Sequence, residues 1–161
     1  MTNHGSRAWL LIGILTLSAG AGGCAGSAAP KVSIANAQVA ERTAEGVAMQ
    51  FTLNAENTND VGLPLRTVRY TLELDGKQVF SGTRSAEATL RRLGTQQIVL
   101  PAVMATGTDA NAMRTTGRVP YRISGTMTYV APGQIAEILF DSGVRVPTTD
   151  FSGTGEIDLG A

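Results

Sequence analysis

A chain of 161 residues holds one ordinary domain, and 13 Lys and Arg against 13 Asp and Glu leave no net charge to draw it to nucleic acid or to an acidic polymer. Apolar residues make up 43% and charged residues 16%, which is enough to bury a core and too little charge for a disordered chain. His4, Trp9 and Cys24 are the only residues of their types, so imidazole and thiol chemistry is excluded from everything after residue 24.

Residues 1–7 are short and polar with one firm positive charge, Arg7, and the uncharged apolar run 8–17 follows before fading into the small residues 18–23. Basic, then apolar, then small is the layout of a secretory signal peptide. The strongly apolar part is about half of the roughly 20 residues that a spanning helix needs, so cleavage is expected rather than an anchor helix. Ala21-Gly22-Gly23-Cys24 resembles the lipobox of bacterial lipoproteins, in which the thiol receives a diacylglyceryl group and the chain is cut just before it; Ala21 stands where that family prefers leucine. The alternative is an ordinary signal peptide cut near Ala29. A lone exported thiol has no internal disulfide to make.

The lipobox resemblance implies a signal peptide over 1–23, lipid attachment at Cys24 and a lipid bilayer as partner, held at about 0.8 kcal/mol per buried methylene. In such lipoproteins an aspartate just after the cysteine commonly means inner-membrane retention. Ala25 occupies that place, which implies a cell-envelope protein on the outer membrane, facing the periplasm. Residues 24–30 read as a flexible tether.

From residue 31 the dominant period is two. Val47, Met49, Phe51, Leu53 and Ala55 alternate with more polar neighbours, as do Val68, Tyr70, Leu72 and Leu74, and then Val119, Tyr121, Ile123, Met127 and Tyr129. Each run puts one face on a core and one in water, as half-buried antiparallel strands do. Weaker strands are expected over 32–39, 78–83, 96–100, 135–140 and 144–146. Asp75-Gly76 is a two-residue hairpin signal, Ala131-Pro132-Gly133 a tight turn, and Gly125 inside a strand marks a bulge or a close backbone approach. No window reads as a convincing amphipathic helix. Residues 105–116 are a loop or one short helix, and the Gly-rich stretch 148–161 is a tail or an edge strand. The fold class is all-β, an antiparallel β-sandwich of about seven strands over 31–147.

The strand 47–56 running into Asn57-Thr58-Asn59 resembles the strand and Asn-Pro-Asn motif of the group 2 late embryogenesis abundant proteins, also called the WHy domain, with Thr58 in place of the proline. Val61-Gly62-Leu63-Pro64-Leu65, the segment from Tyr70 to Gly76 and Lys77, and the closing run Val119-Pro120-Tyr121-Arg122-Ile123-Ser124-Gly125 continue the likeness. The resemblance implies an immunoglobulin- or fibronectin-like sandwich. It also implies no enzymatic activity, an association with desiccation and stress protection, and structural motif positions at Asn57, Asn59, Leu63, Pro64, Tyr70, Gly76, Tyr121 and Gly125.

The candidate chemistry agrees. Serines and threonines are plentiful, but no histidine remains to act as base, and the only lysines, Lys31 and Lys77, fall at the tether and a hairpin tip. Zinc and copper want imidazole or thiolate. Read as a calcium loop from Asn57, the Asn-rich segment has Val61 and Val68 where ligands belong, so a turn whose side chains cap their own backbone is the better account. No cofactor, metal or nucleic-acid partner is expected. The function expected is a non-catalytic, membrane-anchored lipoprotein for stress or envelope protection. The alternative is an interaction subunit that docks a protein through an open sheet edge in envelope assembly or transport.

Overall fold

A computed structural model describes residues 27–105 and 117–160. Cys24, and the 105–116 stretch apart from Ala105, lie outside the described residues. Eight strands and one helix follow in order: β1 (Lys31–Arg42), β2 (Gly46–Asn57), β3 (Leu63–Leu74), β4 (Lys77–Ser85), β5 (Thr89–Leu90), β6 (Gly94–Ala105), β7 (Arg118–Tyr129), α1 (Gln134–Asp141) and β8 (Thr148–Asp158). They form two antiparallel sheets, β1-β2-β6 and β4-β3-β7-β8, with the two-residue β5 paired to the start of β3. The chain changes sheet between β2 and β3, between β5 and β6 and again between β6 and β7, so each sheet is built from segments distant in sequence.

The alternation explains the layering. Met49, Phe51 and Leu53 of β2 and Leu100 of β6 meet Val68, Leu72 and Leu74 of β3 and Ile123 and Met127 of β7, all buried. Phe51 and Tyr121 touch edge to face across the sandwich, with ring centroids 5.3 Å apart, the arrangement aromatic quadrupoles favour. Along one side β1 packs against β8. Ile34 sits so close to Gly153 that a Cβ there would overlap its side chain.

The hairpin and the glycine behave as expected. Asp75 and Gly76 take φ of 49° and 75°, the left-handed pair a two-residue turn needs, and Leu74 pairs with Lys77 across it. Gly125 resolves its alternatives in favour of close approach. A Cβ on it would lie 2.7 Å from the Phe151 ring and 2.9 Å from Tyr70 Cβ, and against the Arg69 carbonyl oxygen. The Gly-rich end is an edge strand. β8 pairs with β7 from Thr128↔Thr148 to Arg118↔Asp158, and Ile157 and Leu159 are buried. The sandwich therefore runs on past Pro147.

Two expectations fail between β7 and β8. Residues 135–140 form α1 rather than a strand, and 144–146 are irregular. Pro132 and Gly133, whose φ is 112°, stop the extended chain. Beyond them Ile135, Ile138 and Leu139 recur at three- and four-residue spacing among good helix formers, a helical period and not a strand one. The helix closes where the Ser142 hydroxyl donates to the Ile138 carbonyl (2.8 Å) and the Gly143 N–H to that of Phe140 (2.9 Å). The Arg66 guanidinium over the Phe140 ring, 5.9 Å from its centroid, ties α1 to β3.

These contacts carry a stability prediction. Leu72→Ala, which empties a fully buried position, is expected to cost about 2–5 kcal/mol. Gly125→Ala, which forces a methyl into occupied space, is expected to cost about 1–3 kcal/mol. Urea unfolding of each variant against the parent chain measures both.

Candidate functional site

The only buried polar residue among those described is Asn57, 1% exposed at the end of β2. A buried carboxamide must satisfy two donors and two acceptor lone pairs, and this one satisfies all four. Its Nδ2 donates to the carbonyl oxygens of Val61 (2.7 Å) and Arg91 (3.1 Å). Its Oδ1 accepts from the Asn59 backbone N–H (3.0 Å) and from Asn59 Nδ2 (2.7 Å). Asn59 extends the knot outward. Its Oδ1 accepts from the Ala28 N–H (2.8 Å), its Nδ2 donates to the Ala28 carbonyl (2.9 Å), and its own carbonyl accepts from the Leu93 N–H (2.9 Å). The Asn59 amide thus pairs with Ala28 as a neighbouring strand would. Pro30 is buried beside it, and its carbonyl accepts from the Thr149 hydroxyl (3.0 Å).

The remaining motif positions do not converge on this knot. Leu63 is buried and pairs with Leu90, and the Pro64 carbonyl accepts from the Val130 N–H (2.9 Å). Gly76 turns at the opposite end of the sandwich, Tyr121 packs on Phe51, and Gly125 lies against Phe151 and Tyr70. Tyr70 reaches across to the other sheet, where its hydroxyl donates to the Pro101 carbonyl. Beside it Arg84 donates to the Val99 carbonyl (3.0 Å). With Pro101 itself lacking an N–H, these side chains leave an incoming strand a broken ladder along β6.

The outer face of the four-stranded sheet is a lattice of hydroxyls. Ser81, Thr71, Ser124 and Ser152 form one row across β4, β3, β7 and β8. The Thr71 and Ser124 hydroxyls are 3.2 Å apart, and Thr126 donates to Asp150 (2.8 Å) in the next row. The depression over Gly125, about 390 Å³, opens onto these groups. A second, of about 440 Å³, is lined by Glu73, Arg122, Thr154 and Glu156. The first is lined also by Arg69 and by Asp150, the carboxylate that accepts from Thr126. Among the described residues no three His, Cys, Asp or Glu side chains converge as metal ligands. The chemistry assembled here is hydrogen bonding.

Sequence reasoning located Asn57 and Asn59 but missed their partners, Ala28, Arg91 and Leu93, because contacts between distant segments leave no local pattern. It also missed α1, whose apolar spacing was visible.

A small antiparallel sandwich whose motif residues hold its ends and core together defines the class, and the comparisons supply the family. The family model described as late embryogenesis abundant protein matches residues 52–139, more than half of the chain, and the chain belongs to that family. The fold is similar to the solution structure of AT1g01470 from Arabidopsis thaliana, with a TM-score of 0.60 and 14% identity over 84% of this chain and 85% of that one. It is similar also to At2g46140.1, described as a late embryogenesis abundant protein, with a TM-score of 0.62 and 20% identity over 83% of this chain and 72% of that one. A protein from Archaeoglobus fulgidus matches with a TM-score of 0.52 and 15% identity over 78% of this chain and 97% of its own. No curated protein sequence matches the chain.

Two outcomes are expected. Asn57→Ala strands the Val61 and Arg91 carbonyls and the Asn59 N–H, at a cost of about 1–3 kcal/mol in urea unfolding. The second concerns alkaline pH. Burial raises the Tyr70 hydroxyl above its ordinary value near 10, against a smaller lowering by Arg84, and burial alone raises Tyr121. In the unfolded chain these phenols ionise first, so their contribution to stability is complete below about pH 10. It is lost as pH rises through the raised values. The urea midpoint should fall above about pH 10, and less steeply in Tyr70→Phe.

Proposed function

We propose that the chain is a non-catalytic bacterial lipoprotein of the WHy-like form, anchored to the outer membrane through acylated Cys24 and facing the periplasm, where it protects the envelope under water stress. Family membership supports the non-catalytic, stress-related character. The observation that carries it is where the family's signature residues fall. Asn57, Asn59, Leu63, Tyr70, Tyr121 and Gly125 are all engaged in hydrogen bonds or packing within the sandwich. A motif used up in this way specifies a scaffold rather than a reaction centre. The signal-like run ahead of Cys24, and Ala25 after it, support the anchor and the outer membrane.

Intact mass of the protein from membranes should show a chain beginning at diacylated or triacylated Cys24. Cys24→Ser should release the protein as soluble or leave the precursor uncut. An unmodified chain with another N-terminus overturns the anchor. Cells lacking the protein should survive drying or high salt less well than the parent. If one exposed Ser, Asp, Glu or Lys substitution reproduces that loss while the domain stays as stable as the parent, the non-catalytic reading is wrong.

A further inference from the structure

Except for β5, which runs the same way as β4, each described strand runs opposite to the one before it, so the connections divide between two ends. The β1–β2 and β3–β4 turns and residues 159–160 lie at one end. The other end carries residue 28, the β2–β3, β4–β5 and β5–β6 connections, and α1.

Exposed apolar side chains divide unevenly between them. Leu93 is 71% exposed, Ile135 75%, Ile138 67% and Val144 75%, with Val61 and Val146 less so, and all six belong to the end that holds Ala28. The other exposed large apolar residues among those described, Val99 and Val103, lie along β6. α1 has no buried residue although Ile135, Ile138 and Leu139 lie within it. Leu93 is held at φ 48°, a left-handed conformation that bulky residues avoid, at a tip where glycine would be at ease.

Chain length says what this end faces. Ala28 is four residue steps from Cys24, and extended chain spans at most about 3.6 Å per residue, so Ala28 lies within roughly 14 Å of the cysteine. Ala28 is hydrogen-bonded to Asn59 and Pro30 is buried, so the reach is counted from a fixed point on this end of the domain. Resting on the lipoprotein reading above, we propose that this end is a membrane-docking surface: Leu93 and the Ile135–Ile138 face of α1 enter the interfacial layer of the lipid bilayer in which the acylated Cys24 is anchored. An amphipathic helix lying in that layer buries its apolar face without spanning it. Exposed Arg91, Arg92 and Arg145 are offset by Asp60, Glu137 and Asp141, so the contact rests on apolar burial and does not require anionic lipid.

The test uses the full acylated protein in phosphatidylcholine vesicles, part of whose acyl chains are brominated. Leu93→Cys, Ile138→Cys and, at the far end, Gln78→Cys each receive a small thiol-reactive fluorophore. Acylation leaves the new thiol as the reactive one, and intact mass checks this. Labels at 93 and 138 should lose fluorescence to the bromolipid while the label at 78 does not. Adding Ile135→Asp to the Leu93→Cys chain should weaken the loss at 93; undiminished quenching there overturns the role of α1. In chains that mass shows to be acylated, quenching no greater at 93 and 138 than at 78 overturns the docking and leaves the anchor standing. Labels shielded from aqueous iodide but untouched by bromolipid also overturn it, in favour of a protein covering this end. Chains that mass shows to lack the acyl group overturn the anchor reading itself, and with it the reach argument.

Discussion

One buried carboxamide holds together the end of the sandwich from which the chain's first described residues emerge. Asn57 sits where β2 leaves its sheet, and burial obliges its amide to find four partners. It takes them from the β2–β3 connection, from Arg91 ahead of β6, and from Asn59. Asn59 in turn grips Ala28. Segments more than 30 positions apart are thereby fixed to one another, at the point where the chain crosses between sheets. Any loss there frees a crossover and the N-terminal segment together, because hydrogen bonds in such a network are not independent.

The same economy of polar groups accounts for the quiet chemistry of the rest. Tyr70 and Arg84 apply their donors to β6 carbonyls, and in the hydroxyl rows of the four-stranded sheet Thr71 meets Ser124 and Thr126 donates to Asp150. What the described faces show is hydrogen bonding, which turns attention from the faces of the sandwich to its ends.

The ends differ in kind. One is closed by a tight hairpin at Asp75 and Gly76 and by the end of β8, where Leu159 and Gly160 pair with Gly117. The other gathers the N-terminal segment, the Asn57 knot, Leu93 and a helix with no buried residue. Among the described residues the exposed large apolar side chains gather at the end that holds Ala28, apart from Val99 and Val103 along β6, and this gives the domain a direction.

The alternating runs in β2, β3 and β7, the Asp75-Gly76 turn and the tight place at Gly125 were legible in the residues, since each rests on local chemistry: period two, positive φ, and a missing Cβ. The all-β class, the antiparallel pairing and the core positions of Phe51, Leu72 and Ile123 followed from them. Asn57 and Asn59 could be singled out as capping residues, but not their partnership with Ala28 and Arg91. Those hydrogen bonds exist only once the sheets have brought separate segments into contact. α1 was misread because five of the six residues 135–140 are apolar and the run was taken for a strand, although the spacing of Ile135, Ile138 and Leu139 is helical. The choice fell to Pro132 and Gly133, which ended β7, and to the Arg66–Phe140 contact supplied by another strand. Which end of the sandwich the chain enters was decided by tertiary structure alone, because it depends on where Asn59 lies in space and not on anything encoded around residue 28.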